Sequence, residues 1–183
     1  PTIPTNGPKP LVSRSKPQIA LSLALGASWW NTPSTALSAT FGIALQWTRI
    51  SVGLEGRYDY AWTLPLDKQV MANQVAMAFL TCGHNAFVPA RFYGRGCLLG
   101  DLTRTSFDSD QLRLGDNARF ILQLGARLGA GFSLTRRWAL ELQADGRVAV
   151  HRAAFAYDDQ EIWLLPRFHG AIRANVVGLF DVF

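Results

Sequence analysis

From Gln18 onward, apolar and polar residues alternate with a period of two, the spacing at which successive side chains fall on opposite faces of a strand. The segment from Trp138 to His151 is the clearest. Trp138, Leu140, Leu142, Ala144, Gly146, Val148 and Val150 share one face, and Glu141, Gln143, Asp145, Arg147 and His151 the other. Arg119 to Phe132 repeats the pattern, with Phe120, Leu122, Leu124, Ala126, Leu128 and Phe132 opposed to Arg119, Gln123 and Arg127, and Thr135-Arg136 joins the two as a hairpin. Between Arg49 and Trp62, the residues Ile50, Val52, Leu54, Tyr58, Tyr60 and Trp62 face away from Arg49, Ser51, Glu55, Arg57 and Asp59. Upstream, Leu37, Phe41, Ile43, Leu45 and Trp47 oppose Ser38, Thr40 and Gln46, while Ile19, Leu21, Leu23 and Leu25 oppose Gln18, Ser22 and Ser28. Gln74 to Cys82 and Arg91 to Thr103 alternate more weakly, the first through Val75, Met77 and Phe79, the second with Phe92, Leu98 and Leu102 opposed to Arg91, Arg95 and Asp101. The final segment, Ala171 to Phe183, sets Ile172, Ala174, Val176, Phe180 and Val182 against Arg173, Asn175 and Asp181.

These segments predict an all-β fold, an eight-stranded antiparallel up-and-down transmembrane barrel, because most reach the roughly 9 to 11 residues that a tilted membrane strand needs. Connection lengths alternate as well. Gln46 to Arg49 and Leu134 to Arg137 read as tight turns, whereas Pro65 to Asn73, Thr105 to Asn117 and Arg152 to His169 read as long polar loops, with Gly83 to Ala90 a turn of intermediate length. An even strand number gathers the long loops at one end, expected to be extracellular, and the short turns at the periplasmic end. Residues 1–17 hold Pro1, Pro4, Pro8, Pro10 and Pro17 among small and polar residues, a composition that makes an extended tether. The expected organisation is a periplasmic linker over 1–17 and a barrel over 18–183. A start at Pro1 is what a mature product or a fragment of something longer would show.

Period two does not say which face is outside. A soluble lipocalin-like barrel would turn its apolar face inward to a greasy cavity. The aromatic residues argue against that: Trp29, Tyr58, Tyr60, Trp62 and Phe120 fall at the long-loop end of the apolar face, and Trp47, Phe92, Phe132, Trp138 and Phe180 near the short-turn end. Two such girdles around an aliphatic band suit the two interfaces of a bilayer. No run of about 18 uncharged apolar residues offers a transmembrane helix, which leaves a closed barrel as the way across.

The inner face then carries Glu55, Arg57, Asp59, Arg127, Glu141, Asp145, Arg147 and Arg173, charges of both signs set among small residues and able to pair across a narrow lumen. The net charge of +5 comes from Lys and Arg scattered through alternating segments, so a nucleic-acid surface is not expected. Cys82 and Cys97 lack neighbours at zinc spacing. They share the inner parity, and a hairpin centred between Pro89 and Ala90 sets them opposite each other, which predicts a disulfide formed in an oxidising space.

Residues 18–183 resemble the small eight-stranded outer-membrane barrels of Gram-negative envelopes, the OmpA-like class. Val177-Gly178-Leu179 followed by Phe183 resembles the C-terminal signal read by the barrel-assembly machinery, although Asp181 stands where that signal usually has an aromatic residue. The resemblance implies an outer-membrane location, with membrane lipid and, during biogenesis, the assembly machinery as partners. Some barrels of this size modify lipid A, using a His with a Ser or carboxylate. Here His84 falls in a turn, His151 beside Arg152 and His169 in or after the last loop, with only Asp158, Asp159 and Glu161 near. A catalytic site is therefore not expected. Asp108, Asp110 and Asp116 lack the spacing of a calcium loop, and neither metal nor cofactor is expected. The expected role is a non-enzymatic anchor or structural subunit of an envelope assembly, held through its N-terminal linker to a periplasmic or outer-membrane protein. The rival readings are a lipid-modifying enzyme and a minor pore.

Overall fold

The computed structural model of the chain describes residues 16–29, 35–63, 70–87, 91–108, 119–151, 154–157, 160–164 and 166–182. Its strands are β1 (Gln18–Trp29), β2 (Ala36–Gln46), β3 (Ile50–Thr63), β4 (Val70–Phe87), β5 (Phe92–Asp108), β6 (Arg119–Ser133), β7 (Trp138–Ala149), β8 (Ala154–Tyr157), β9 (Gln160–Leu164) and β10 (Phe168–Asp181). Eight of them close an antiparallel barrel in the order β1-β10-β7-β6-β5-β4-β3-β2, and β8 and β9 form a separate two-stranded ribbon. Closure is made by β1, which pairs with β2 from Gln18↔Gln46 to Ser28↔Ala36 and with β10 from Gln18↔Asp181 to Trp29↔Gly170. A closed barrel leaves no unpaired edge, the condition for a sheet inside lipid.

Alternation places the apolar residues outside. Leu124 and Leu142 are 56% and 60% exposed, whereas Arg127 and Arg147 are 2% exposed. Leu23, Leu25, Phe41, Met77, Phe79, Leu98 and Leu128 continue the exposed band around the wall. A band this wide on every side is far beyond the apolar patches that soluble proteins show to water, and it fits lipid. Inside, Ala20, Ala24, Ala36, Ala76, Ala78, Ala139 and Ala171 are buried, so the wall itself takes little volume and the axis is left to long polar side chains.

Three expectations need correction. The stretch from Gly83 to Ala90 is not a turn: β4 runs to Phe87 and pairs on through Gly83↔Gly96, His84↔Arg95 and Asn85↔Gly94, which narrows the connection to 88–91. His84 therefore sits in a strand. The stretch from Arg152 to His169 holds β8 and β9, and β10 already begins at Phe168, so His169 is a buried inward residue of the wall and not part of a loop. At the other end of the barrel, β4 begins at Val70 and β5 runs to Asp108, which takes residues from both flanking connections.

Candidate functional site

The lumen is built around a continuous chain of ion pairs. Arg57 binds Asp59 and Asp101 at 2.9 Å each; Asp101 forms an ion pair with Arg147 at 3.2 Å; Arg147 reaches Asp145; and Asp145 also takes Arg127 at 2.6 Å and Arg173. Arg127 completes the chain by donating two hydrogen bonds to the two carboxylate oxygens of Glu55. Thr103 Oγ1 donates to Asp101 at 2.8 Å, and Arg173 Nε donates to Ser38 Oγ at 2.9 Å. Arg57, Arg127, Arg147 and Arg173 thus face Glu55, Asp59, Asp101 and Asp145, four charges of each sign, all buried. An unpaired charge here would cost several kcal/mol, so a balanced set is what this low-dielectric space requires. About 40 Å³ of open space remains beside Arg127 and Glu55.

Backbone spacing makes room for the guanidinium groups. Gly26 lies opposite Arg173 and Gly125 opposite Arg147, and a Cβ at either position would collide with the backbone and Cγ of the arginine it faces. Below the network, toward the short turns, the lumen becomes apolar, with Ala78, Leu80, Leu99 and the Cys82–Cys97 disulfide packed together. The two cysteines are direct cross-strand partners.

A second polar layer closes the short-turn end. Arg95 binds Glu141 at 2.9 Å, Tyr93 Oη donates to Glu141 at 3.4 Å, and the His84 ring meets Ser51 Oγ at 2.8 Å. A cavity of about 220 Å³ opens beside this layer, lined by Gln46, His84, Asn85, Arg91, Tyr93 and Arg95 among others. Glu141 therefore belongs to this layer and not to the main network. Strand parity sets Ser51, Arg95 and Asp101 on the polar face but does not name their partners, because it tells the face of a residue and not its neighbour around the barrel. Ser51 is 3% exposed, and among the described residues no carboxylate is hydrogen-bonded to His84. That is a satisfied, part-buried pair in which Ser51 is shielded and, among the described residues, no carboxylate orients the His84 ring. Among the described residues no cluster of His, Cys, Asp and Glu has the composition to hold a metal.

On the outer wall, Trp47, Tyr58 and Trp138 are exposed, and Trp29 and Tyr60 are half-buried. Trp29 covers the outward Gly170, while Trp138 and Phe180 meet edge to face at 6.3 Å over Gly178. The side chain of Trp62 and the whole of Phe183, Asp110 and Asp116 lie outside the described residues, as does residue range 1–15.

No family model and no curated protein sequence matches the chain. Solved structures match its fold. Neisserial surface protein A (NspA) is 11% identical with a TM-score of 0.62, covering 90% of this chain and 97% of its own. Ail, the attachment invasion locus protein of Yersinia pestis, is 9% identical with a TM-score of 0.55, covering 91% and 99%. The outer-membrane enzyme PagL is 13% identical with a TM-score of 0.47, covering 89% and 99%. At such identities the likeness is one of fold: the chain has the architecture of the small eight-stranded outer-membrane barrels, and its apolar exterior supports a location in that membrane.

Proposed function

We propose that the chain is a non-enzymatic outer-membrane barrel that anchors an envelope assembly, with residues 1–17 as its periplasmic tether, its short turns in the periplasm and its long connections outside. The observation that carries this reading is the balanced lumen. Four arginines and four carboxylates tie β2, β3, β5, β6, β7 and β10 together, an arrangement that favours rigidity over passage of solute. The place of the tether agrees with it, because Gln18 enters the wall at the short-turn end, paired with Gln46 and Asp181. Gly178 and Phe183 would serve recognition by the assembly machinery. The partner is then a periplasmic or outer-membrane protein, with membrane lipid around the wall.

Two measurements test this reading. In planar bilayers the purified barrel should give no steady, reproducible conductance, and a large ohmic step would favour a pore. A pull-down from outer membranes on a tagged barrel should bring a protein partner with it; recovery of the barrel alone would overturn the anchor.

A further inference from the structure

The charge of the short-turn end points to what it holds. Its connections carry Arg49, Arg91, Arg136 and Arg137 and no acidic residue over 47–49, 134–137 and position 91. Arg95 and His84 stand just inside, as direct cross-strand partners on the inner face, and line the cavity of about 220 Å³ together with Arg91. The acids described at this end are already engaged: Glu141 is taken by Arg95 and Tyr93, and Asp181 accepts from Gln18 at 2.8 Å. Arg95 Nε is buried and makes no hydrogen bond among the described residues, so one donor of a forked guanidinium remains to be satisfied.

We propose that this mouth is an anion site that takes a carboxylate-bearing segment of a protein partner, an acidic peptide entering from the aqueous side. The inward placement decides between peptide and lipid. His84 and Arg95 share the inner face with the Cys82–Cys97 pair, whereas lipid headgroups lie outside the wall, where Trp47, Phe92 and Trp138 are exposed. A carboxylate seated in the cavity meets Arg91 from the rim and Arg95 from the wall, and the remaining turn arginines raise the local concentration of acidic chain. The identity of the compartment, and thus of the partner as periplasmic, rests on the anchor reading; the site itself does not.

The test uses the full chain in phosphatidylcholine nanodiscs, which leave both mouths open, and follows anisotropy of a labelled decaglutamate peptide beside its glutamine counterpart. The glutamate peptide should bind, weaken as salt rises, and lose about tenfold in affinity in Arg91→Gln, whose side chain is exposed and so spares the fold. Arg95→Gln strands Glu141, so Arg95→Lys serves as its companion, keeping the charge while losing the fork and part of the affinity. Equal binding of the two peptides, no binding, or an Arg91→Gln barrel that binds like wild type would overturn the site. So would displacement of the peptide by phosphatidylglycerol in the disc, which would assign these arginines to lipid. Because no cellular partner is involved, a pull-down without a partner removes the anchor and leaves this result standing, and the reverse also holds.

Discussion

Gly125 on β6 stands directly across from Arg147 on β7, and a methyl group at its Cα would meet the Gly146 carbonyl and lie 2.9 Å from both Cα and Cγ of Arg147. The glycine is the space through which that arginine leaves the wall to reach Asp101 and Asp145. Gly125→Val should therefore destabilise the folded barrel by roughly 1 to 3 kcal/mol, the usual range for overpacking. Gly146 supplies the control, since a Cβ there meets nothing within 4 Å, and Gly146→Ala should stay within about 0.5 kcal/mol of wild type. Urea unfolding from lipid vesicles compares the two. Equal costs would mean that Arg147 does not depend on the gap.

The outward assignment of Leu142 gives a second prediction. Leu142 lies between Ala130 and Ala174 on the outer wall and is 60% exposed, so in the membrane its contacts are with acyl chains. Leu142→Arg should impair assembly, with a cost of roughly 2 to 4 kcal/mol for an arginine near the bilayer midplane. The same substitution should not be rescued by pairing, because the carboxylates lie on the other side of the sheet. A Leu142→Arg barrel that folds into vesicles with wild-type yield and stability would reverse the faces.

Much of this architecture is legible in the sequence because one face meets lipid and the other a polar axis. From Trp138 to Val150 every second residue is apolar, and each of the intervening residues 139–149 is buried, so parity alone assigns Arg147 inward and Leu142 outward. Legibility fails where that contrast fades. Beyond Cys82 the outward positions of β4 and β5 include Gly83, Asn85, Gly94 and Gly96, which show no alternation although the ladder continues through them. Near His169 only Phe168 separates Arg167 from it and Gly170 follows, too short a pattern to show where the last strand begins. Partners in the network are harder still. Asp101 meets Arg57 and Arg147, which stand on strands other than its own, and which residues share a level depends on the stagger around the whole barrel. The pair Ser51 and His84 belongs to β3 and β4 and meets only through that register.

The Cys82–Cys97 disulfide makes the most direct prediction, since it joins register, compartment and stability. Its partners are 15 residues apart, and on the chain-entropy account a loop of about that length restricts the unfolded chain by about 3 kcal/mol. Cys97→Ser should then lower the urea midpoint while leaving strand content unchanged, because β4 and β5 remain paired on both sides of the link, from Met71↔Asp108 to Phe87↔Phe92. Both cysteines are 5% exposed and packed with Leu80 and Leu99, so reductant should reach the bond slowly in the folded barrel and readily once it is unfolded. Maleimide labelling followed by mass spectrometry distinguishes these states. Protein taken from membranes should show one intramolecular link and no labelled thiol until it is unfolded and reduced. Two free thiols in the folded barrel would break the link between register and compartment on which this prediction stands.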